Sequence, residues 1–214
     1  TTYRPIDIGS LADVQTVEYA AENTLSVPMA LGFTFPYYGD SFTEVYVNTN
    51  GYVQFTDEQD DSPIGDGEWP VGRSIIAAYW EDFNGATGVV QYSQLRHSNM
   101  DAFVVSFEQF ESYSEVRSSG KATWQLVLHS DGSMDIILMN VLGDSGIHTI
   151  GFFNNTDGHM ICLGPGTECA FQNTQFHVSG PVEHPPPVEA TCVDSLNGNY
   201  TCSYDSWHSG SYIL

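Results

Sequence analysis

The chain has 214 residues, 41% hydrophobic and 13% aromatic, enough to bury one good core and too apolar for a disordered chain. It carries 27 acidic residues against 5 basic ones, a formal net charge of −22, and Lys121 is its only lysine. A surface of that sign repels phosphate backbones and anionic lipid, which argues against nucleic-acid and membrane-surface roles, and no apolar run reaches the roughly 18 residues of a membrane span.

Residues 1–28 form an N-terminal arm in which Leu11, Val14 and Val17 have helical spacing before Pro28 closes the segment. A helical turn and an irregular arm fit equally well. From Met29 the pattern turns to strand, through Leu31, Phe33 and Phe35 to a turn at Tyr37-Tyr38-Gly39-Asp40. Val45, Val47 and Thr49 then share one face of a strand, and Val53 and Phe55 one face of the next. Asn50-Gly51 between them predicts a hairpin with a type I′ turn. Asp57 to Glu68 is a long acidic loop rich in turn residues. Ser74 to Trp80 is a continuous apolar run, as in a strand buried on both faces. Val89–Tyr92 and Phe103–Phe107 are the next two strands. Ala122–His129 and Met134–Val141 flank Ser130-Asp131-Gly132, a second hairpin signal. Ile147–Phe153 and Gln175–Val178 complete the pattern. About nine short strands at intervals near ten residues predict an all-β antiparallel sandwich over residues 29–179.

Composition changes after Val178. Residues 180–190 read as a Pro-rich linker, extended and semi-rigid, and residues 191–214 as a tail too short for a core of its own. The cysteines fall in two local pairs, Cys162 with Cys169 and Cys192 with Cys202. Local pairing is the cheapest of the three connectivities by loop entropy, and neither spacing suits a zinc knuckle. Asn154-Asn155-Thr156 and Asn199-Tyr200-Thr201 are glycosylation acceptors. Together with the start at Thr1, expected if a signal peptide or a tag has been removed, these features favour an exported protein, extracellular or on a cell surface.

No nucleophile elbow, zinc-protease helix or phosphate-binding glycine loop is present, so no catalytic residue is assigned. The histidines, His97, His129, His148, His159, His177, His184 and His208, stand singly, where a solvated side chain is the usual explanation. Adjacent carboxylates such as Glu81-Asp82 and Asp60-Asp61 point to opposite faces of an extended chain, which does not suit a glycosidase pair. The acidic loop is the best metal candidate: Asp57, Asp60, Asp61 and Asp66 offer oxygen ligands to Ca²⁺, with a solvated acidic loop as the alternative. Trp80 to Gly85 is a second calcium candidate. Tyr37 and Tyr38 would stack on a sugar if exposed, or close a strand end against the core.

Three segments in order carry a family pattern: Leu31-Gly32-Phe33-Thr34-Phe35-Pro36-Tyr37-Tyr38-Gly39, Val45 to Phe55, and Ile75-Ile76-Ala77-Ala78-Tyr79-Trp80-Glu81-Asp82. They resemble the nidogen-like extracellular domain, with its Phe-Pro-Phe-Tyr-Gly element, Val-x-Thr-Asn-Gly-x-x-x-Phe hairpin and Ile-Ala-Pro-x-Trp-x-Asp strand. The extracellular segment of plexin-domain-containing proteins is similar. The resemblance covers about residues 29–155, leaves the arm and everything after Cys162 outside, and departs at Ala78, where the family usually has proline. Cys192 to Cys202 looks like part of an epidermal-growth-factor-like module, with too few cysteines for a whole one. The resemblance implies a non-enzymatic module of matrix, adhesion or surface-assembly proteins. Its expected partners are other protein subunits, as a homo-oligomer or polymer, with a calcium-dependent or glycan-binding accessory domain as the alternative.

Overall fold

The computed structural model describes residues 4–18, 24–58, 73–113, 120–142, 147–154, 158–165, 171–180, 191–194 and 200–203. Its strands are β1 (Gln15–Thr16), β2 (Met29–Tyr37), β3 (Asp40–Asn48), β4 (Tyr52–Gln54), β5 (Ile75–Trp80), β6 (Phe83–Asn84), β7 (Val89–His97) and β8 (Met100–Ser112), followed by β9 (Ala122–His129), β10 (Met134–Asn140), β11 (Ile147–Phe153), β12 (Gly158–Pro165), β13 (Thr174–Val178), β14 (Thr191–Asp194) and β15 (Tyr200–Ser203). One sheet runs β1-β7-β8-β9-β10-β13, with β6 also on β8; the other runs β12-β11-β5-β4-β3-β2. Every described pairing between strands is antiparallel. The two sheets face each other as the expected sandwich. Among the described residues β14 and β15 pair only with each other.

The interior is aromatic. Trp124 on β9 stacks on Phe107 at 4.7 Å and on Phe83 at 4.9 Å, with Tyr79 and Phe110 against its other edges. A second group joins Phe35, Tyr37, Phe42 and Phe55. Such rings contribute large buried area plus a smaller geometric term for each pair. Tyr37 and Tyr38 are both buried, so they close the strand end and offer no sugar platform. The Tyr37 hydroxyl lies 2.9 Å from the carbonyl oxygens of Ile75 and Phe153, and burial pushes its pKa up.

β5 is buried at every position, as its apolar run predicts, because it lies inside its sheet with side chains covered on both faces. Its alternation is broken once. Thr149 of β11 pairs with Trp80 while Gly151 pairs with Ala77, so Ala78 and Tyr79 form a bulge. Both then join the interior cluster, and Trp80 passes to the outer face beside Tyr52, Ile75 and Phe153. The bulge is also where a missing backbone N–H is tolerated, so the position of Ala78 suits the proline of the family pattern as well as this chain's alanine.

The turn at Asn50-Gly51 differs from the expected type I′. Asn48 pairs with Tyr52, leaving three loop residues, of which Gly51 alone has positive φ (+88°). The Gly51 N–H donates to the Asn48 carbonyl, the geometry of a type I turn closed by a left-handed residue. His129 to Ser133 repeats it, with Gly132 in the left-handed position. The two-residue turn with both φ positive occurs instead at Ser98-Asn99, between His97 and Met100.

The N-terminal arm forms a short 3₁₀ turn over Ile8–Ser10, a helical turn being one of the two forms expected of it, and then β1. It lies on the outer face of the β7–β10 sheet. Ile6, Ile8, Leu11 and Val14 pack there against Ala102, Val104, Val127 and Ile137. The Gln125 side chain bonds the peptide of Ile6 in both directions, at 2.9 and 2.7 Å, so the arm docks as a surrogate strand.

Candidate functional site

The most heavily constrained point of the sandwich is the Asn50-Gly51 turn, which is buried although it is a turn. Asn48 Oδ1 accepts from the Asn50 N–H, and Asn50 Oδ1 from the Phe83 N–H. The Asn50 and Gly51 carbonyls accept from Glu81 and Tyr79. A Cβ on Gly51 would lie 2.1 Å from the Tyr79 carbonyl oxygen and 2.9 Å from the Trp124 ring. Only glycine fits, both for φ and for space. Beside it Glu81, 4% exposed, places Oε2 3.0 Å from Nδ1 of the fully buried His148. That imidazole stacks on Tyr79 at 4.7 Å. The carboxylate and imidazole touch without an aligned hydrogen bond.

A second buried carboxylate lies on the outer face of the β7–β10 sheet. Asp135 accepts from His129 Nε2 at 2.9 Å, His177 Nδ1 at 2.9 Å and Gln175 Nε2 at 3.0 Å. Burial alone would raise its pKa, but the hydrogen bonds from His129, Gln175 and His177 outweigh that and hold it at about 2,. The ionised carboxylate can only accept, so both histidines donate to it. His159 stacks on Phe152. The expectation of singly solvated histidines is therefore corrected at His129 and His148, which are buried against carboxylates; His184 and His208 lie outside the described residues. A period-two reading of the β9–β10 hairpin already puts His129 and Asp135 on one face, a signal that would have found that pair.

The third locus is the start of the acidic loop. Gln54 ends β4 fully buried, and its Nε2 donates to the carbonyl oxygens of Thr56 at 2.6 Å and Glu58 at 2.7 Å. Gln54 Oε1 and Thr56 Oγ1 are buried with no hydrogen-bond partner. Asp57 and Glu58 are exposed. The phenol of Tyr46, across from Gln54 in the ladder, is raised in pKa by desolvation and then by Asp57 and Glu44. Asp60, Asp61 and Asp66 lie outside the described residues. In the other calcium candidate, Glu81 faces His148 and Asn84 Oδ1 accepts from the Ala86 N–H, so both of these oxygen donors are already engaged. Among the described residues no three His, Cys, Asp or Glu side chains gather as a metal cluster.

Of the modification candidates, Asn154 is partly exposed just after β11, and Asn199 lies outside the described residues. Cys162 is disulfide-bonded, and Cys169 lies outside the described residues. Cys192 and Cys202 are direct cross-strand partners in β14–β15. No described helix is long and apolar enough to cross a membrane.

The sequence model of a family described as NIDO related matches residues 1–178. The chain belongs to the NIDO-related family. The match bears out the nidogen-like resemblance and extends it at both ends, to the arm, consistent with the arm's packing on the sandwich, and past Cys162 to residue 178. The NIDO-related chain is similar to alpha-tectorin of Mus musculus, 31% identical over 157 residues, covering 60% of this chain and 7% of the relative. Alpha-tectorin of Homo sapiens is 29% identical over 157 residues, with the same coverage. The chain thus spans a small part of the length of these relatives. No solved structure matches it.

Proposed function

We propose that this NIDO-related domain is a non-enzymatic, exported structural and adhesive module that makes protein–protein contacts, as a homo-oligomer or as the repeating subunit of an extracellular filament, appendage or matrix. The single observation that supports it most is the family match over residues 1–178. The geometry is consistent with it. The buried Asp135, Glu81, His129 and His148 are paired with one another inside the fold, and β12 and β13 end their sheets with an unpaired edge in the described topology, a place where another chain adds a strand. Residues 180–190 serve as linker and 191–214 as a stapled tail. Cys192 and Cys202 close it, because directly opposed residues have the Cα separation a disulfide needs; Cys162 pairs with Cys169, and Asn154 and Asn199 carry glycans. The test is particle size. Light scattering and electron microscopy of the chain should show multimers or polymers that deletion of residues 181–214 disperses. A monomer under all conditions would refute the assembly, and multimers unchanged by the deletion would refute the tail's part in it.

A second reading is favoured by the orphaned oxygens at Gln54 and Thr56. Under it the domain is calcium-dependent, its acidic loop ordered by Ca²⁺ and presenting a surface to protein or glycan. Calorimetry with CaCl₂ tests it, and no heat at millimolar Ca²⁺ would refute it.

A further inference from the structure

We infer that the base of the acidic loop is a Ca²⁺ site built from the side-chain oxygens of Gln54, Thr56, Asp57 and Glu58 and the carbonyl oxygens of Thr56 and Glu58. It rests on the calcium-dependent reading above and assigns that reading its ligands.

Two carbonyl oxygens of one short turn, Thr56 and Glu58, converge on a single point, and the Gln54 amide NH₂ stands there, 2.6 and 2.7 Å from them. The amide is fully buried and aimed into the loop. Its other end, Oε1, and the neighbouring Thr56 Oγ1 are buried with nothing donating to them. Buried polar atoms without partners are rare in folded proteins, and each needs a cause. Here the unmatched Gln54 atom is a carbonyl-type oxygen, and the exposed residues Asp57 and Glu58 follow it in the same turn. A half-turn of the amide brings Oε1 to the point where the carbonyls converge. Three oxygens meeting there repel one another unless a cation lies between them. With a cation present they become ligands.

The chemistry selects the ion. Ca²⁺ takes about six to eight oxygens at about 2.3–2.6 Å from amide, carbonyl and carboxylate groups in flexible geometry. The set here has that make-up, with water completing it. It lacks the nitrogen and sulfur donors that zinc and copper prefer, and a backbone turn is a poor match to the strict octahedron of Mg²⁺.

The test is calorimetry with CaCl₂ on the whole chain and three variants. Asp57→Asn/Glu58→Gln, at exposed positions, should weaken Ca²⁺ at least tenfold. Gln54→Glu adds an anionic ligand and should tighten it by about tenfold, the size of a 1.4 kcal/mol effect. Thr56→Val should weaken it several-fold. A Gln54 that only caps the turn predicts a less stable Gln54→Glu variant with unchanged Ca²⁺ affinity, which would overturn the site. Wild-type binding that all three variants preserve would place the ion elsewhere, refuting this ligand set while leaving the calcium-dependent reading standing. No wild-type binding would end both. If Gln54→Glu does not fold, the Asp57/Glu58 variant decides alone.

Discussion

The short strand β4 joins two buried polar regions that treat their unmatched atoms differently. At the Gly51 end most side-chain atoms without hydrogen-bond partners are donors, Asn48 Nδ2, Trp80 Nε1 and Trp124 Nε1, with the Thr49 hydroxyl able to donate, and the carboxylate oxygen there, Glu81 Oε2, already lies 3.0 Å from His148 Nδ1. The backbone there is fully used in holding Asn50 and Gly51 against Tyr79, Glu81 and Phe83. At the Gln54 end the unmatched atoms are the oxygens Gln54 Oε1 and Thr56 Oγ1, next to exposed carboxylates. A donor-rich pocket repels a cation, whereas an oxygen-rich one attracts it. One hairpin can thus be a structural joint at one end and a ligand site at the other.

The largest expected effect is at the joint. Gly51→Ala forces a Cβ to 2.1 Å from the Tyr79 carbonyl at φ +88°, combining left-handed strain with overpacking, and should cost about 3–5 kcal/mol. Thermal unfolding should show a fall of about 10 °C or failure to fold. A fall of only a degree or two would mean that the joint relaxes and is not the constraint described.

Next is Asp135→Asn, on the other buried carboxylate. Asp135 has a lowered pKa, about 2 in the fold, so its stabilisation is complete above the ordinary carboxylate range and is lost as pH falls from about 4 through 2. The shift corresponds to at most about 2 kcal/mol. Denaturant unfolding from pH 6 to pH 2 should show the wild type losing that margin and the variant, weaker at neutral pH, losing less. Parallel pH profiles would contradict the His129–Asp135–His177 network. Gly39→Ala is a control of about 1 kcal/mol: the φ is +82° but nothing lies within 4 Å of the new Cβ, so it carries left-handed strain alone. Smallest is Thr56→Val in chelator, within about 1 kcal/mol and in the stabilising direction, because it removes a buried hydroxyl that has no partner.

Much of the fold was legible in the sequence because sheet faces write themselves with period two. β5 was readable as a doubly covered strand from Ile75 to Trp80, and the β9–β10 hairpin from Trp124, Leu126 and Leu128. The turn type at Asn50-Gly51 was not, since it depends on whether Asn48 or Thr49 closes the ladder, a choice made by Tyr79 and Trp124 far along the chain. β12 escaped because His159, Cys162, Gly164 and Pro165 give it no alternation. The Glu81–His148 pair was hidden for the same reason as the Gln54 cluster: one forms between segments distant in the chain and the other within a turn, where spacing along the chain carries little information, whereas His129 and Asp135 share a hairpin face that period two exposes. The acidic loop was visible as charge alone. What distinguishes its base from a merely solvated loop is a buried neutral amide, which no count of carboxylates reveals.

Hydrogen exchange measured peptide by peptide with and without Ca²⁺ tests the contrast between the two ends of β4 most directly. The account predicts that amides of residues 54–58 slow markedly in Ca²⁺, while those of residues 48–51, already locked by Tyr79 and Phe83, do not change. Equal slowing of both segments, or no slowing of either, would contradict it.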